Sequence, residues 1–386
     1  MKIIYVANSR LPTEKAHGIQ IARTCEALVG LGADLELWLP KRRNPAFADQ
    51  DLFSFYKIKH PFPVRYLPCV DPIGRLDFLP GAGYFIQSRT FALSVWWSLS
   101  RVSGDVIVYS RDLYQLLPAL KKHLPYFYEI HTLPDKLKKY HLRILRQAHG
   151  VISISRNLAE ALKQHVSEKK LFVAEDGVDL SLFHGELDKK RMREELGFQL
   201  ALKIVLYTGH LYEWKGAHVL AQAAEFLSAD IQVFLVGGTD KDQENFKKFL
   251  AKGKLTRVKL LGQMPQEQIP KYLAAADILV LPNSGRFEIS RKHTSPLKLF
   301  EYMAAHRPIV SADLPSLREI LDETTAVFFV PDDPISMARE IKGLLGDPGL
   351  GERLAANAAR KVRAYSWEKR AEKINRFLKA QMEKAS

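Results

Sequence analysis

Short apolar runs alternate with helix-period segments along almost the whole chain. The runs KIIYVAN (2–8), DLELWLP (34–40), VRYLP (64–68), DVIVYS (105–110), YFYEIH (126–131) and GVISIS (150–155) predict a first series of strands. After residue 200 the pattern restarts with KIVLYTG (203–209), IQVFLVG (231–237), VKLLG (258–262), DILVLP (277–282), PIVSAD (308–313) and AVFFVP (326–331). Between them apolar residues step by three or four, as in Ile19, Ala22, Cys25 or Glu26, and Val29, with Ile21 and Leu28 widening the stripe. Strands that are apolar throughout and separated by helices belong to parallel sheets covered on both faces. Two such series, joined by the polar stretch 179–198, predict an α/β protein of two facing, doubly wound, Rossmann-like domains. Ligands of such sheets sit beyond the carboxyl ends of the strands, so an interdomain cleft is the default site. The segment from Gly351 to about Lys384 is amphipathic and basic, and pattern alone assigns it to neither domain.

A length of 386 residues also favours two domains, and 47% hydrophobic with 26% charged residues is the composition of a globular protein. The opening MKIIYVANSR reads as a first strand rather than a signal peptide. No apolar run reaches the roughly 18 residues that span a bilayer; FALSVWWSLS (91–100) is too short and is broken by serines. Cys25 and Cys69 lie outside any metal or redox spacing, so a reducing, cytoplasmic compartment is expected. Charge is more informative. An excess of 57 Lys and Arg over 43 Asp and Glu gives a net +14 and favours an anionic partner: nucleic acid, a phosphorylated small molecule or an acidic membrane surface.

Four stretches carry candidate chemistry. In TSPLKLFEYMAAHRPIV (294–310), Ser295 suits an N-cap and Pro296 the first helical position, so the helix start is expected to receive an anion. Lys298 adds a mobile positive charge, and Glu301 stands too far along to cap; a carboxylate there accepts two hydroxyls, as a ribose diol requires. A capped helix with one solvated glutamate fits the same residues. In YTGHLYEWKGAHVL (207–220), His210 and Lys215 lie in the loop at a strand's carboxyl end, where a lysine and a donor suit a diphosphate; a solvated loop is the plainer alternative. In RLPTEKAHGIQIARTCEAL (10–28), Gly18 near a helix start allows close backbone approach, a weak signal. In YEIH (128–131), His131 ends a strand at the ligand-bearing edge, against the alternative of a histidine satisfied by a nearby carbonyl. The triplets Asp49-Gln50-Asp51 and Asp240-Lys241-Asp242 read better as chance than as metal sites. No P-loop, no G-x-S-x-G elbow and no Cys/His zinc cluster is present.

Taken together, TGHLYEWKG, DGVDLSLF, GQMPQEQIPKYLAAADILVLPN and SPLKLFEYMAAHRPIVSA resemble, in order and spacing, the retaining glycosyltransferases of family 4 with their GT-B architecture. EKAHGIQIARTCEAL and VIVYSRDLY…YEIH resemble the acceptor half more loosely, and YSWEKRAEKINRFL the terminal helix that returns to the first domain. The resemblance implies an acceptor domain of 1–185 completed by about 367–386, and a nucleotide-sugar domain of 186–366. It implies that Lys215 contacts the donor diphosphate, with His210 where an arginine is common, and that Ser295, Pro296, Leu297 and Lys298 form the phosphate-receiving helix start, through the amides of all but Pro296, which has no N–H. Glu301 then matches the second glutamate of the family's E-x7-E motif and binds the ribose, Met264 the loop under the nucleobase, Gly18 the loop beneath the phosphate, and His131 the histidine near the transferred sugar. His131 and Lys215 are the implied catalytic residues. The first motif glutamate is replaced by His293, followed by Thr294, so these two would face the donor sugar; Glu288 would substitute only through a reshaped loop.

The implied reaction moves a hexosyl unit from a nucleotide diphosphate sugar with retention, by a front-face route in which the leaving phosphate takes the acceptor proton. No metal or other cofactor is called for. The partners implied are a nucleotide-sugar donor and a saccharide or lipid-linked acceptor, with an anionic membrane surface as a further partner and nucleic acid not one. LPDKLKKYHLRILRQAH (133–149), with basic residues between Leu and Ile, is a candidate interfacial helix, or an ordinary helix with a basic solvent face. A catalytically weakened nucleotide-sugar-binding scaffold, suggested by His293, and a sugar-nucleotide epimerase of the same fold are the alternatives.

Overall fold

The two strand series fold into two separate parallel sheets, of seven and six strands, in the computed structural model of the chain. The structure describes residues 1–42, 44, 47, 49–73, 78–79, 81–133, 137–183 and 187–384. The chain divides into a first unit of Met1–Asp176 with Trp367–Ser386 and a second of Gly177–Ser366.

In the first unit the strands are β1 (Lys2–Val6), β2 (Asp34–Pro40), β3 (Val64–Leu67), β4 (Val106–Ser110), β5 (Tyr126–Ile130), β6 (Gly150–Ser153) and β7 (Leu171–Val173), in the order β3-β2-β1-β4-β5-β6-β7. Ile4, Val6, Val108 and Val151 lose all contact with water because helices cover both faces of the central strands. β7 has no counterpart in the sequence reading. Its three half-buried residues are too few to show a period, and pairing with β6 is what makes it a strand. The helix Trp367–Glu383 closes this unit: Ile374 and Leu378 are buried, and Phe377 stacks on Phe172 with ring centroids 4.9 Å apart.

In the second unit the strands are β8 (Lys203–Thr208), β9 (Ile231–Val236), β10 (Val258–Gly262), β11 (Ile278–Leu281), β12 (Ile309–Ala312) and β13 (Val327–Phe329), in the order β10-β9-β8-β11-β12-β13. Strand order therefore reverses between β1 and β4 in one sheet and between β8 and β11 in the other, the positions where crevices open at the carboxyl ends.

Two expectations change. The polar stretch 179–198 is not a connector, because it lies within the second unit. Its helix Lys189–Glu195 buries Met192, and Arg193 donates to the Ala275 carbonyl at 2.8 Å and pairs with Asp277 at 2.5 Å. The chain instead changes unit at residues 176–177, where Val178 forms a bridge with Ser366. The basic segment 133–149 forms the helix Lys139–Gln147, and its apolar residues Ile144 and Leu145 are buried in the first unit's core. They are therefore not available to a bilayer; residues 134–136 lie outside the described ones.

Candidate functional site

In the second unit, the loops after β8 and β11 are tied together. Gly216 has φ +76°, and a Cβ there would stand 1.8 Å from the Pro282 carbonyl oxygen, so only glycine allows this approach. The Ser284 amide donates to the Trp214 carbonyl at 3.1 Å, completing the junction. This brings the loop that carries Lys215 against the backbone of Pro282 and Asn283; the Lys215 Nζ lies 3.9 Å from the centroid of the Trp214 ring. Asn283 is fully buried, and neither its amide nitrogen nor its oxygen has a partner among the described residues.

The helix Leu297–Ala304 reaches the loop after β8 through Lys298, whose Nζ would lie 3.5 Å from a Cβ on Gly209. Its N-cap is Pro296 rather than Ser295, with extended backbone at φ −75° and ψ 126°, so Pro296 is not the first helical residue. Freed from capping, the Ser295 hydroxyl is buried without a partner among the described residues. Lys298 is not mobile. It is 7% exposed, its Nζ lies 3.7 Å from the centroid of the Tyr207 ring, and it too has no hydrogen-bond partner among the described residues. A buried ammonium in contact with a ring face and no acceptor is a strongly polarised, undersatisfied donor.

Burial pushes the Lys298 ammonium well below the usual lysine range, and repulsion from Lys215 pushes it further. Burial likewise lowers Lys215, to about 8. Glu301, one turn along from Lys298, is raised by burial, against the opposing pull of a hydrogen bond from Gln266 at 2.7 Å and of Lys298. Met264 sits two residues before Gln266 and accepts from the Tyr272 hydroxyl at 3.5 Å. His210 stacks on Tyr212 at 4.8 Å with ring planes 1° apart, and its Nδ1 lies 3.5 Å from Asp242. At one helix start the Ser295 hydroxyl and the Lys298 ammonium are thus both unsatisfied among the described residues, which is what an anion with several acceptor oxygens completes.

His293 follows the short helix Glu288–Lys292, half-buried, and Thr294 is buried beside it. Glu288 is exposed and lies 3.6 Å from Lys292, so it faces the surface. The two D-x-D triplets have structural work: Asp51 caps the helix Leu52–Tyr56, and Asp242 forms a capping box with Thr239.

In the first unit, His131 follows β5 and its Nε2 lies 2.7 Å from the carboxylate of Glu129. Glu129 is fully buried in β5, 2.8 Å from Arg370 of the terminal helix, and also accepts from Tyr109 and Gln20. Burial alone would raise the Glu129 carboxyl, but Arg370 and the hydrogen bonds from His131 and Tyr109 hold it well below the usual range. Burial, then repulsion from Arg111, lowers His131 to about 4, so the ring is neutral at pH 7. A neutral imidazole beside an ionised carboxylate donates from Nε2 and leaves Nδ1 as an acceptor. Gln20 belongs to the helix Ala16–Gly30, which also holds Gly18. A Cβ on Gly18 would meet the Tyr56 hydroxyl at 2.2 Å, and that hydroxyl bridges the Thr13 amide and carbonyl at 2.9 and 2.8 Å. Gly18 is therefore held by packing.

Residues 202–347 match the family model described as Glycosyl transferases group 1, and residues 18–182 that of Glycosyltransferase Family 4; together they take in most of the chain. This chain belongs to the group 1 glycosyltransferases of the family 4 type. The D-inositol 3-phosphate glycosyltransferase of Xylanimonas cellulosilytica is 27% identical over 212 residues, 52% of this chain and 49% of its own, so the match spans about half of that relative. Spore coat protein SA of Bacillus subtilis is 24% identical over 404 residues, 97% of this chain and 98% of its own. The structure of HepE from Anabaena in complex with UDP matches with a TM-score of 0.76 at 19% identity, over 98% of this chain and all of that one, which places the fold as GT-B.

Four polar residues of this glycosyltransferase escaped the sequence reading. Asn283 directly follows the predicted strand DILVLP, at the edge where ligand groups gather. Gln266 shares the Met264 loop. Glu129 is a charge inside an apolar strand run, two positions before His131, and that is its signal. Arg370 has none beyond its place on a basic helix, since its partner is distant in sequence.

Proposed function

We propose that this glycosyltransferase moves a hexosyl unit from a nucleotide diphosphate sugar to a saccharide or lipid-linked acceptor with retention at the anomeric carbon. The observation that carries the reading is that the Lys298 ammonium and the Ser295 hydroxyl, both at the start of one helix, are buried without a partner among the described residues. In this reading the diphosphate takes those donors together with Lys215, and Glu301, steadied by Gln266, accepts the ribose hydroxyls. Met264 lies under the nucleobase, with His210 near the phosphates and His293 and Thr294 toward the sugar.

In the reaction proposed, the bond from the anomeric carbon to the diphosphate oxygen breaks and a bond to the acceptor hydroxyl forms on the same face. The hydroxyl proton passes to the departing phosphate. Lys215 and Lys298 neutralise charge on that phosphate as it leaves, where fixed cations in a dry site act most strongly. Neutral His131, whose Nε2 is engaged by Glu129, would accept a sugar hydroxyl at Nδ1 rather than supply a proton. Because two lysines supply the positive charge, activity is expected to persist in EDTA.

HepE, a structural relative, is described in complex with UDP, which makes UDP the first nucleotide to try. Titration calorimetry of UDP, GDP, ADP and their sugar derivatives should show one base bound selectively, with Glu301→Ala and Lys215→Ala each weakening it at least about ten-fold. Binding of none of them would overturn the reading. NMR of the product anomer then tests retention.

A further inference from the structure

We propose that the outward face of the helix Ala82–Leu99 is a docking surface for an anionic lipid bilayer. This helix is apolar on the wrong side. Its inward face carries Gln87, Ser88 and Ser98 with Phe91 and Val95, all buried. Gln87 donates to the Asn8 side chain at 2.8 Å, and Gln115 donates to the Ser88 hydroxyl and carbonyl at 3.1 Å each, so polar pairs fix the helix to the sheet edge. Its outward face carries Phe85, Ile86, Leu93, Trp96 and Trp97, spaced along one helical stripe. Trp97 is 63% exposed, Leu93 60% and Phe85 55%. The segment beside it adds Val70 and Ile73, both exposed, held there by the Val70 amide bonding Thr90 Oγ1 at 3.0 Å. A contiguous outward surface of this kind marks an interaction site.

Charge selects the occupant. From Phe78 to Gly104 the sequence has no Asp or Glu, while Arg89 and Arg101 lie on or just beyond the helix. Arg89 sits 4.0 Å over the Phe85 ring, and the Lys122 ammonium 4.6 Å from the Trp96 ring. Asp71, the acid of the flanking segment among the described residues, is taken by Arg42 at 2.8 Å. Arg89 also lies 6.0 Å from the Tyr114 ring, which meets Tyr140 at the start of the basic helix Lys139–Gln147. Indole and phenyl rings set among cations, with no exposed carboxylate on the helix, match the boundary between acyl chains and acidic headgroups. A protein partner would call for acids to answer the arginines. No helix among the described residues is long and apolar enough to cross a membrane, and this one lies against the sheet, so it rests on the surface. The assignment needs no nucleotide and uses no residue of the donor site.

The test uses the full chain without nucleotide and vesicles of phosphatidylglycerol with phosphatidylcholine, beside vesicles of phosphatidylcholine alone. Wild type should co-sediment with the anionic vesicles, less so at high salt, and its tryptophan fluorescence should be quenched by brominated lipid. Trp96→Ser with Trp97→Ser should lower partitioning at least about ten-fold and abolish the quenching, and Arg89→Glu with Lys122→Glu should do the same at low salt. Thermal unfolding of both variants should stay near wild type, since these side chains lie outside the core. Equal sedimentation of wild type and variants, or no vesicle binding, overturns the proposal. So does an ultracentrifuge result in which wild type is a dimer that the tryptophan variant dissociates.

Discussion

The guanidinium of Arg370 lies 2.8 Å from the carboxylate of Glu129, both buried, one on the terminal helix and the other on β5. The same guanidinium donates to the Glu175 carbonyl at 3.1 Å and to Thr24 at 3.2 Å. A single pair thus joins the helix Ala16–Gly30, strand β5 and the terminal helix. Arg370→Met is expected to destabilise the protein by about 3–5 kcal/mol, because it strands a buried carboxylate. Adding Glu129→Gln should recover part of that loss. Urea unfolding of the two single variants and the double variant measures the coupling; strict additivity would deny it.

Lys298 stands in the opposite position, buried without an acceptor among the described residues. Lys298→Met keeps the length of the side chain and removes the charge. The free protein is expected to become more stable, with Tm rising by a few degrees, while nucleotide affinity falls by about 100-fold or more. Thermal unfolding without nucleotide, beside calorimetry with it, separates these effects. A fall in both would mean that Lys298 holds the fold instead of serving a ligand.

Lys215 titrates at about 8, so in the free protein it loses charge as pH rises through that value. A bound diphosphate favours the charged form and raises the value again. Nucleotide binding is therefore expected to take up protons between about pH 8 and 10, the upper bound being the ordinary lysine value. Calorimetry in buffers of different ionisation enthalpy reads the uptake directly. Lys215→Arg should remove its share of the uptake, since arginine stays charged throughout, leaving only that of Lys298.

Asp176 is held up at about 7, mainly by burial, with Arg370 opposing. One of its oxygens has no hydrogen-bond partner among the described residues. The folded value lies above the unfolded one, so its contribution is full below about pH 4 and is lost as pH rises through 7. Asp176→Asn should flatten that decline, raising stability at pH 8 relative to pH 5 by more than about 1 kcal/mol. Wild type and variant declining in parallel across this window would exclude the effect.

The sheets were largely legible because apolar runs bounded by turns survive in sequence: β2 and β10 occupy the predicted residues, and most other strands lose only one or two end residues to loops. What stayed hidden depends on tertiary contact. Whether Ser295 or Pro296 caps a helix is settled by backbone angles that both residues tolerate. Lys298 reads as a solvated cation until the Tyr207 ring is placed beneath it. The stretch 179–198 looks like a linker because its buried arginine, Arg193, finds its partner Asp277 far along the chain. Helix 82–99 shows little amphipathicity because both of its faces carry apolar side chains, and only the fold tells which one is outside.

The first unit draws on both ends of the chain, with the whole second unit between them. During synthesis, residues 177–366 are available to fold as one continuous piece before Trp367 is made. Glu129 has by then long left the ribosome and waits without its guanidinium partner, held only by the hydrogen bonds of His131, Tyr109 and Gln20. A stop codon just before Trp367 should therefore spare the later-made unit and cripple the earlier-made one, so that the nascent chain matures out of order.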